Sequence, residues 1–477
     1  MKLLKPALTT LGALLLGACT LGPDFQRPTV ELPAAFRAAE GWTLATPGKP
    51  ITEQHWWKRY QDPLLDELLP QVSLSNQNLL GVEAQYRQAL ALAAGSRASA
   101  WPSLGAGATS TRAQGTDASP ANQQRLTLSS SWEIDLWGRI SRGIEAGDHA
   151  AQASAADLAA ARLSAQAALL QNYVALRIND AQQRLFERTL EAYTRSLEIT
   201  RNRLTAGVAS QADVAQAETQ LRSTEAQALD LRIQRAQLEH AIAVLVGKPP
   251  AHFSIAPVTA VPTLPDLPLS LPSELLERRP DVAAALHRVA ADNARIGAAE
   301  AAFFPSVTLS VNGGFQNASF ADLFAVPHRF WSLGPALAQS LFDGGARRAT
   351  SDQTIAAYDR SVANYRQTVL TALQETEDNL VSLRILAEER EIQLQAARAA
   401  NTFLTLTTNQ YLAGTVSYLN VAIAQAAALN AERSSLELLN RHLQASIGLI
   451  RALGGSPWQD TSASPPAAAT VRPQPLS

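Results

Sequence analysis

Cysteine is almost absent from this chain of 477 residues. Its single cysteine is Cys19, and one thiol cannot close an intramolecular disulfide or form the cysteine cluster of a structural zinc site. The seven histidines are scattered, and no pair has the spacing of metal ligands on one helix. The sequence also lacks a phosphate-binding glycine loop and a G-x-S-x-G nucleophile elbow. We therefore expect no metal, no cofactor and no catalytic activity.

Long apolar runs and an excess of positive charge are missing as well. After the first 18 residues, no apolar stretch reaches the roughly 20 residues that a transmembrane helix needs. If the chain spans a membrane, it must therefore do so with strands. The formal net charge is −2, from 40 basic and 42 acidic side chains without a basic block. This balance argues against nucleic acid as a partner.

The first residues have the pattern of a lipoprotein signal. Two lysines precede a short apolar segment, and small residues then lead directly to Cys19. We expect 1–18 to be a signal peptide and Cys19 to be the lipid attachment site, with an ordinary cleavage site beside an incidental cysteine as the alternative. Thr20, rather than aspartate, after the cysteine favours the outer membrane. Two acyl chains can hold a protein on a membrane without a helical span.

Most of the chain consists of two copies of one unit. Ala413-Gly414-Thr415-Val416-Ser417 repeats Ala206-Gly207-Val208-Ala209-Ser210 at a spacing of 207, and Pro305-Ser306 repeats Pro102-Ser103 at a spacing of 203. Self-similarity over this length indicates two structural repeats. We assign the chain to an N-terminal segment (19–62), repeat 1 (63–248), a linker (249–272), repeat 2 (273–457) and a disordered tail (458–477).

Each repeat is predicted to contain a helix, two strands, a very long helix and a return helix. Proline ends the first helix, which we expect at 64–98 and at 273–302. Alternating apolar and polar residues indicate strands at 126–136 and 306–316. The pattern is weaker after Pro102 and around Trp331, where Pro335 costs a ladder hydrogen bond. The segments 114–123 and 317–328 are predicted to be loops.

The longest predicted helices span 141–204 and 347–412. The first would be on the order of 95 Å long at 1.5 Å per residue, which far exceeds the average globular helix of about 11–12 residues. Glycines at Gly138 and Gly344 would let the chain turn from strand into helix. The fold class is therefore mixed α and β.

The small number of strands predicts an oligomer. Four strands cannot close a conducting barrel, because even eight leave an interior that side chains fill. Open strand edges are not tolerated in lipid. Several copies must therefore pool their strands if the strands cross a membrane.

Short motifs distributed from Cys19 to about Trp458 resemble those of one family. They are Gly22-Pro23-Asp24-Phe25, Arg27-Pro28, Trp56-Trp57, Asp62-Pro63-Leu64-Leu65, Asn78, Leu271-Pro272-Ser273-Glu274-Leu275-Leu276, Arg278-Arg279-Pro280-Asp281-Val282, Ile296-Gly297, Phe303-Phe304-Pro305-Ser306 and Leu341-Phe342-Asp343-Gly344-Gly345. Together they resemble the outer membrane factor family, the TolC-like channels, and specifically its lipoprotein branch that serves efflux pumps.

This resemblance implies an architecture, partners and a function. The architecture is a homotrimer with a twelve-stranded transmembrane β-barrel, four strands from each protomer, continued by a periplasmic α-helical barrel. The implied partners are outer membrane lipid, a periplasmic adaptor protein and an inner-membrane pump of the resistance-nodulation-division type. The chain would be a passive export duct for small molecules in the cell outer membrane. A type I protein secretion duct and a non-conducting structural envelope lipoprotein are the alternatives.

One charged cluster marks the predicted start of the first helix in repeat 2. It contains Glu274, Arg278, Arg279 and Asp281, and Ser273 is the predicted N-cap. We interpret it as a capping and salt-bridge cluster rather than as a catalytic pair.

Two turns join the long helices to their return helices, and the repeat predicts that both lie at one end. Gly207 and Gly414 fit helix C-terminal positions with a left-handed backbone, and Ser210 and Ser417 fit the N-caps that follow. The resemblance implies that these turns, which also contain Val208 and Thr415, contact the adaptor. It further implies that the helices beside them close the mouth, often with a ring of aspartates.

Four residues near these turns are candidates for the gate. They are Tyr411, Ile423, Asp213 and Asn420. The family match is partial, because Ile423 occupies a position that is commonly acidic. Asp213 lies three residues after Ser210, which favours a capping role for it. We therefore expect packing around Tyr411 and Ile423, more than a carboxylate ring, to hold the gate closed.

Overall fold

The computed structural model describes residues 20–33, 35–37, 56–114, 120–258, 262–265 and 279–455. The predicted signal peptide, Cys19, the tail at 458–477, and Ser273, Glu274 and Arg278 lie outside these residues. In the described ranges, no helix is both long and apolar enough to cross a membrane.

The helices and strands follow the order predicted from the sequence. They are α1 (Pro63–Ser75), α2 (Gln77–Ala98), β1 (Ser103–Ala113), β2 (Ala121–Ile134), α3 (Arg139–Thr205), α4 (Gln211–Leu245), α5 (Pro280–Ala301), β3 (Ser306–Asn317), β4 (Arg329–Ala338), α6 (Ala346–Leu412) and α7 (Tyr418–Ala452). Short 3-10 helices lie at Trp56–Tyr60, Pro250–His252 and Val326–His328.

The long helices and the return helices have equal lengths in the two halves of the chain. Both α3 and α6 have 67 residues, and both α4 and α7 have 35. The predicted long helices are thus confirmed. At 1.5 Å per residue each is about 100 Å long. The boundaries that we assigned to the two repeats stay a prediction.

Asn76 divides the first predicted helix into α1 and α2. Its backbone is extended (φ −67°, ψ 117°), and its side-chain oxygen accepts a hydrogen bond from the Leu79 amide at 3.1 Å. Its side-chain nitrogen donates to the Leu245 carbonyl at 2.9 Å. The prediction of one continuous helix at 64–98 was therefore wrong, because an asparagine held by a distant carbonyl caps a second helix.

The first helix of the second repeat begins later than predicted. Helix α5 starts at Pro280 and Arg279 precedes it without helical structure, so the start predicted at 273 was wrong. Proline at the first helical position favours this start.

Both ends of β2 also differ from the sequence predictions. The strand begins at Ala121, inside the segment 114–123 that was predicted to be a loop; Asn122 and Gln123 pair with Arg112 and Thr111. The same strand ends at Ile134 and excludes 135–136. Strand pairing decides both ends of β2, and the alternation of residue types does not report it directly.

The chain divides into two compact units, each of which draws on both halves of the sequence. The first, here called the sheet unit, contains the described residues within Met1–Val30, Ala84–Ala156 and Val282–Thr368. The second, here called the helical unit, contains the described residues within Glu31–Glu83, Asp157–Asp281 and Val369–Ser477.

The sheet unit contains one four-stranded antiparallel sheet in the order β1-β2-β3-β4. Strands β2 and β3 are neighbours although a long stretch of sequence separates them. The segments that lead to helices leave from one end of the sheet, and the connections within each strand pair lie at the other. Pro335 lies in β4 opposite Leu309; because β4 is an edge strand of this sheet, a missing amide donor there is tolerated.

The core of the helical unit is formed by aromatic and leucine side chains from distant segments. Trp56, Trp57 and Tyr60 pack with Leu169 and Tyr173 of α3, and all five are buried. Burial of such large side chains stabilises the fold by roughly 1.5–3 kcal/mol each. Tyr60 also shares a hydrogen bond of 2.8 Å with Ser446.

Buried Arg279 ties the start of α5 into the helical unit. It pairs with Asp281 at 2.7 Å and with Glu375 of α6 at 2.9 Å, and it donates to the Ala452 carbonyl at 3.1 Å. The predicted ion-pair role is confirmed for Arg279 and Asp281. The third member of this ion-pair cluster is Glu375. It lies far from Arg279 in the sequence, so the sequence pattern could not predict the contact.

Candidate functional sites: the sheet faces and the paired turns

The strand register of the sheet unit collects apolar side chains on one face. Trp132 of β2 lies opposite Leu309 of β3, which lies opposite Pro335 of β4. Partners in an antiparallel pair present their side chains on the same side of the sheet. The resulting apolar face contains Leu104, Leu126, Leu128, Trp132, Ile134, Val307, Leu309, Val311, Phe315, Trp331, Leu333 and Leu337.

The opposite face is lined by small and polar side chains. They include Thr109, Thr127, Ser129, Ser131, Thr308, Ser310, Asn312 and Ser332. Gly314 also lies on this face, and a Cβ there would approach the Leu126 carbonyl oxygen to 1.9 Å, so glycine is required. Phe330 is an aromatic exception that packs under the Arg125 guanidinium at 4.6 Å.

Several large side chains of the apolar face are exposed in the single chain. The exposed fraction is 72% for Leu104, 76% for Trp331 and 71% for Leu337. A contiguous apolar surface of this kind marks contact with lipid or with another protein. The sheet therefore has one face suited to an apolar environment and one suited to water.

Carboxylates and glycines shape the two junctions between strand and helix. At the first, the Asp135 carboxylate accepts hydrogen bonds from the Ile140 and Ser141 amides at 3.0 and 2.7 Å, and Gly138 has a φ of +75°. At the second, Gly344 and Gly345 have φ values of +64° and +94°. The predicted role of glycine in these turns is confirmed.

Asp343 caps the second junction. It accepts a hydrogen bond from the Gly345 amide at 3.0 Å and pairs with Arg347. The Arg347 guanidinium, together with the Gly345 amide, holds the pKa of the Asp343 carboxyl below its usual range. The carboxylate therefore stays ionised at neutral pH and stabilises the start of α6.

The segment that follows Cys19 is held in the sheet unit. Thr20 packs against Gly138, where an added Cβ would lie 3.1 Å from the Thr20 Cα. The side chain of Arg142 donates to the Leu21 carbonyl at 3.1 Å, and a Cβ on Gly22 would approach the Gly297 Cα to 2.3 Å. These contacts place Thr20, which follows the expected lipid site Cys19, beside the end of β2. Gly22 and Gly297 belong to the motifs noted in the sequence, Arg142 belongs to none of them, and the fold brings these residues together.

In the helical unit, both turns have the glycine geometry that the sequence predicts. Gly207 and Gly414 have φ values of +75° and +79°. Ser210 and Asp213 form a complete capping box: the Asp213 amide donates to the Ser210 hydroxyl at 3.1 Å, and the Ser210 amide donates to the Asp213 carboxylate at 2.8 Å. The capping interpretation of Asp213 is thus confirmed.

The second turn lacks this box. Ser417 is the N-cap of α7, but its side chain makes no capping hydrogen bond to the backbone. Asn420 instead donates its side-chain amide to the Ser417 hydroxyl at 3.3 Å. An asparagine amide cannot reproduce the charge-assisted contact that Asp213 makes in the first turn.

The structure brings the two turns together, as the repeat predicts. The Arg203 guanidinium donates to the Leu412 carbonyl at 3.2 Å and lies 4.7 Å from the centroid of the Tyr411 ring. The Tyr411 hydroxyl donates to the Thr200 hydroxyl at 3.2 Å. Tyr411 and Tyr418 also pack edge to face at 5.6 Å. Arg203 and Thr200 were not recognised from the sequence, and no local motif marks them.

Two of the gate candidates have different environments. Tyr411 is 4% exposed within a cluster that also contains Tyr193, Val214 and Val421, whereas Ile423 is 54% exposed and lies outside that cluster. The structure therefore does not bring Tyr411 and Ile423 into one packed group within the chain. Their gating roles stay predictions.

His149 and His287, which looked unrelated in sequence, meet in the sheet unit. Their Nδ1 atoms are 3.4 Å apart, and their ring centroids are 5.6 Å apart. Two nitrogens fall short of the three or four ligands of a typical zinc site. In the described ranges, no group of three or more histidine, cysteine, aspartate or glutamate residues is placed to hold a metal ion.

Comparisons with known proteins agree with this architecture. Residues 68–248 and 271–455 match the family model described as outer membrane efflux protein. The toluene efflux pump outer membrane protein TtgC of Pseudomonas putida is 30% identical over 469 residues, which cover 94% of this chain and 95% of that protein. Outer membrane protein OprJ of Pseudomonas aeruginosa is 32% identical over 469 residues, with the same coverage of 94% and 95%.

A solved structure has the same fold. The outer-membrane channel OprN superimposes with a TM-score of 0.87 and 30% sequence identity, and the alignment covers 92% of this chain and 99% of that one. The chain therefore belongs to the outer membrane efflux protein family and is the outer-membrane component of an efflux system.

Proposed function

We propose that three copies of this chain form a passive duct through which small molecules leave the cell. The division of the four-stranded sheet into one apolar and one polar face is the observation that carries this proposal. Strands of transmembrane barrels alternate between residues that face lipid and residues that face the lumen. In the assembled duct the apolar face contacts lipid, and the threonine and serine side chains line the pore.

A single chain supplies too few strands for this duct. Four strands cannot enclose a conducting pore, and β1 and β4 would leave open edges that lipid does not tolerate. A trimer supplies twelve strands and closes both edges. The long helices α3 and α6 would then continue the duct into the periplasm.

Lipid attachment at Cys19 would add an anchor at the rim of the barrel. The contacts of Thr20 with Gly138 and of Leu21 with Arg142 support this position, because they hold the following residues beside the end of β2. Two acyl chains together with the barrel would secure each protomer in the outer membrane.

Relatives named as outer membrane proteins of efflux pumps support a choice of partners. We propose a periplasmic adaptor protein and an inner-membrane pump of the resistance-nodulation-division type, with the pump supplying the energy and the chain itself catalysing no reaction. The turns around Gly207 and Gly414 would contact the adaptor, because they form one cluster and Val208 in the first is 63% exposed.

Single-channel recording of the purified trimer in a planar bilayer tests the proposal. We expect discrete conductance steps, since a lumen lined by hydroxyl groups admits water and ions. A protein that assembles but shows no conductance under any condition would instead be a structural envelope lipoprotein. Passage of an unfolded polypeptide in place of small molecules would indicate a type I secretion duct, and a neighbouring pump gene would argue against that alternative.

The gate has its own test in the same assay. We expect Tyr411→Ala with Ile423→Ala to raise the resting conductance more than Asp213→Ala does. Loss of the Tyr411 ring removes its contacts with Arg203 and Tyr418, whereas Asp213 is engaged in its capping box. An open channel from Asp213→Ala alone, with no effect of the double change, would show that an electrostatic gate operates.

A further inference from the structure

The loop between β3 and β4, at 318–328, is held against the apolar face of the sheet. Phe315 of β3 lies on this face because it pairs with Leu126. The Phe324 ring of the loop packs edge to face against the Phe315 ring, with the ring centroids 5.5 Å apart. Leu323 beside it is 4% exposed. The loop is therefore attached to the side of the sheet that suits an apolar environment.

Hydrogen bonds within the loop fix its shape. The Leu323 amide donates to the Phe320 carbonyl at 3.3 Å, and the His328 amide donates to the Ala325 carbonyl at 3.0 Å. Such short-range bonds satisfy the backbone in consecutive turns. The loop is thus an ordered element that can present its side chains in a fixed arrangement.

This arrangement leaves three large apolar side chains at the surface. The exposed fraction is 67% for Phe320, 67% for Phe324 and 77% for Val326. Exposed apolar side chains that adjoin one another mark contact with lipid or with another protein. The loop therefore extends the apolar surface of the sheet at the end away from the helices.

Two arginines lie on the apolar face at the same end of the sheet. Arg329 pairs with Phe315 and so shares its face. Arg112 lies four residues after Ala108, which pairs with Leu126, and an even spacing along a strand keeps the face. Both arginines are exposed, and within the described ranges neither guanidinium makes an ion pair.

The arginines lie where the apolar band of the sheet ends. On β2 this band occupies 126–134, close to the roughly 9–11 residues with which a tilted strand crosses the hydrocarbon core. The next residue of β2 on the same face is Gln124, which is polar and pairs with Ser110. Polar and charged side chains therefore begin at the level where lipid head groups follow the hydrocarbon.

We propose that the loop at 318–328, together with Arg112 and Arg329, binds a phosphorylated and multiply acylated lipid of the outer leaflet. The acyl chains contact Phe320, Phe324 and Val326, and the lipid phosphates accept hydrogen bonds from the two guanidinium groups. This inference rests on the proposed duct, because the orientation of the duct places this end of the sheet at the cell exterior. It adds a chemical class of lipid and the residues that bind it.

Two observations favour a lipid over a protein partner. The exposed loop side chains are continuous with the apolar face that contacts lipid in the proposed duct. The charged groups beside them on that face are arginines, whose planar guanidinium matches the oxygens of a phosphate. Asp322, the acidic residue of the loop, is exposed; its carboxylate requires water and sets the side of the loop that stays outside the hydrocarbon.

A depth measurement tests the position of the loop. Phe324→Cys, Val326→Cys and Asp322→Cys are each made in a Cys19→Ala background, labelled with a fluorophore and reconstituted as trimers into phosphatidylcholine vesicles. Brominated acyl chains should quench the labels at 324 and 326 at least twofold more strongly than the label at 322. Aqueous iodide should give the reverse order. Equal quenching at all three positions would overturn the proposal.

Lipid A tests the two arginines. We expect lipid A to raise the unfolding temperature of the detergent-solubilised trimer by roughly 3 °C more than the same lipid without its phosphates does. Arg112→Gln with Arg329→Gln should remove most of this difference. Arg125→Gln is the matched control and should retain it, because Arg125 lies at the same end but on the polar face, over Phe330.

The proposal requires both results. Equal shifts from lipid A with and without phosphates, an equal shift from inorganic phosphate alone, or the same loss in Arg125→Gln would overturn it. A trimer that conducts and shows neither effect would overturn this lipid site and leave the proposed duct standing. A protein that does not insert into vesicles would contradict the duct itself.

Discussion

At the scale of single residues, the two turns of the helical unit differ despite their repeated sequence. The first has the complete box of Ser210 and Asp213, and the second has Ser417 without a backbone cap. The difference arises at the position three residues after the serine, which is Asp213 in one turn and Asn420 in the other. A carboxylate can accept a hydrogen bond from the N-cap amide, and this acceptor completes the box.

This difference predicts unequal effects of one substitution. Ser210→Ala should lower the free energy of unfolding by about 1 kcal/mol, because it removes a capping hydrogen bond. Ser417→Ala is the matched control and should lower it by less than half as much. Urea denaturation of the detergent-solubilised protein measures both, and equal losses would show that the capping box contributes nothing specific.

A buried histidine predicts a pH dependence near neutrality. His442 is 4% exposed, and its Nδ1 has no hydrogen-bond partner among the described residues. Burial, with a smaller effect of nearby Arg390, lowers the pKa of His442 below its ordinary value of 6.5. As the pH falls below 6.5, the unfolded chain binds a proton that the folded chain resists, so the folded state loses stability.

Thermal unfolding at pH 8 and pH 5 checks this expectation. The parent protein should lose more thermal stability between these pH values than a His442→Leu variant, whose side chain cannot take up a proton. His240→Leu controls for a histidine whose environment is not buried in this way. If His442→Leu leaves the pH dependence unchanged, other groups cause it.

At the scale of elements, apolar and polar residues alternate along each strand, and the pairing register decides which of them share a face of the sheet. Leu309 lies between Trp132 and Pro335 on the apolar face, and Ser310 lies between Ser131 and Gly334 on the polar face. Adjacent positions on one strand thus face different environments. We expect Leu126, Leu128, Trp132, Val307, Leu309 and Val311 to face lipid, and Thr127, Ser129, Thr308 and Ser310 to face the lumen.

Arginine substitutions at these adjacent positions form a matched pair. Leu309→Arg should destabilise the inserted trimer by about 2–4 kcal/mol, because it places a charge in lipid. Ser310→Arg should have a far smaller effect, since the lumen is hydrated. The yield of heat-modifiable, folded trimer measures both, and equal losses would show that the two faces are assigned incorrectly.

At the scale of the whole molecule, the proposed lipid anchor and the proposed barrel would be separate means of membrane attachment. Cys19→Ala should abolish incorporation of labelled palmitate, because the chain has no other cysteine. The variant should still conduct, since the proposed barrel alone would hold the trimer in the membrane. A Cys19→Ala protein that still incorporates the label would refute the assignment of the lipid site.

Local sequence was sufficient to predict the order of the elements and much of their extent. The absence of proline from 139–205 and the spacing of 207 between the repeats predicted the two long helices. The glycines at 207 and 414 predicted the turns, because a left-handed backbone at a helix end strongly favours glycine. These features depend on local backbone preferences, and local sequence reports such preferences directly.

Which distant residues meet was settled by the packing of the folded chain. Asn76 ends a helix because the Leu245 carbonyl holds its side chain, Glu375 joins Arg279 and Asp281 in one ion-pair cluster, and Arg203 links the two turns through Tyr411. Each contact joins segments far apart in the chain, and its strength depends on burial that no local pattern reports. The packing also separates buried Tyr411 of α6 from exposed Ile423 of α7, because α7 packs in the Tyr411 cluster through Val421 and Ala422 and Ile423 lies outside that cluster.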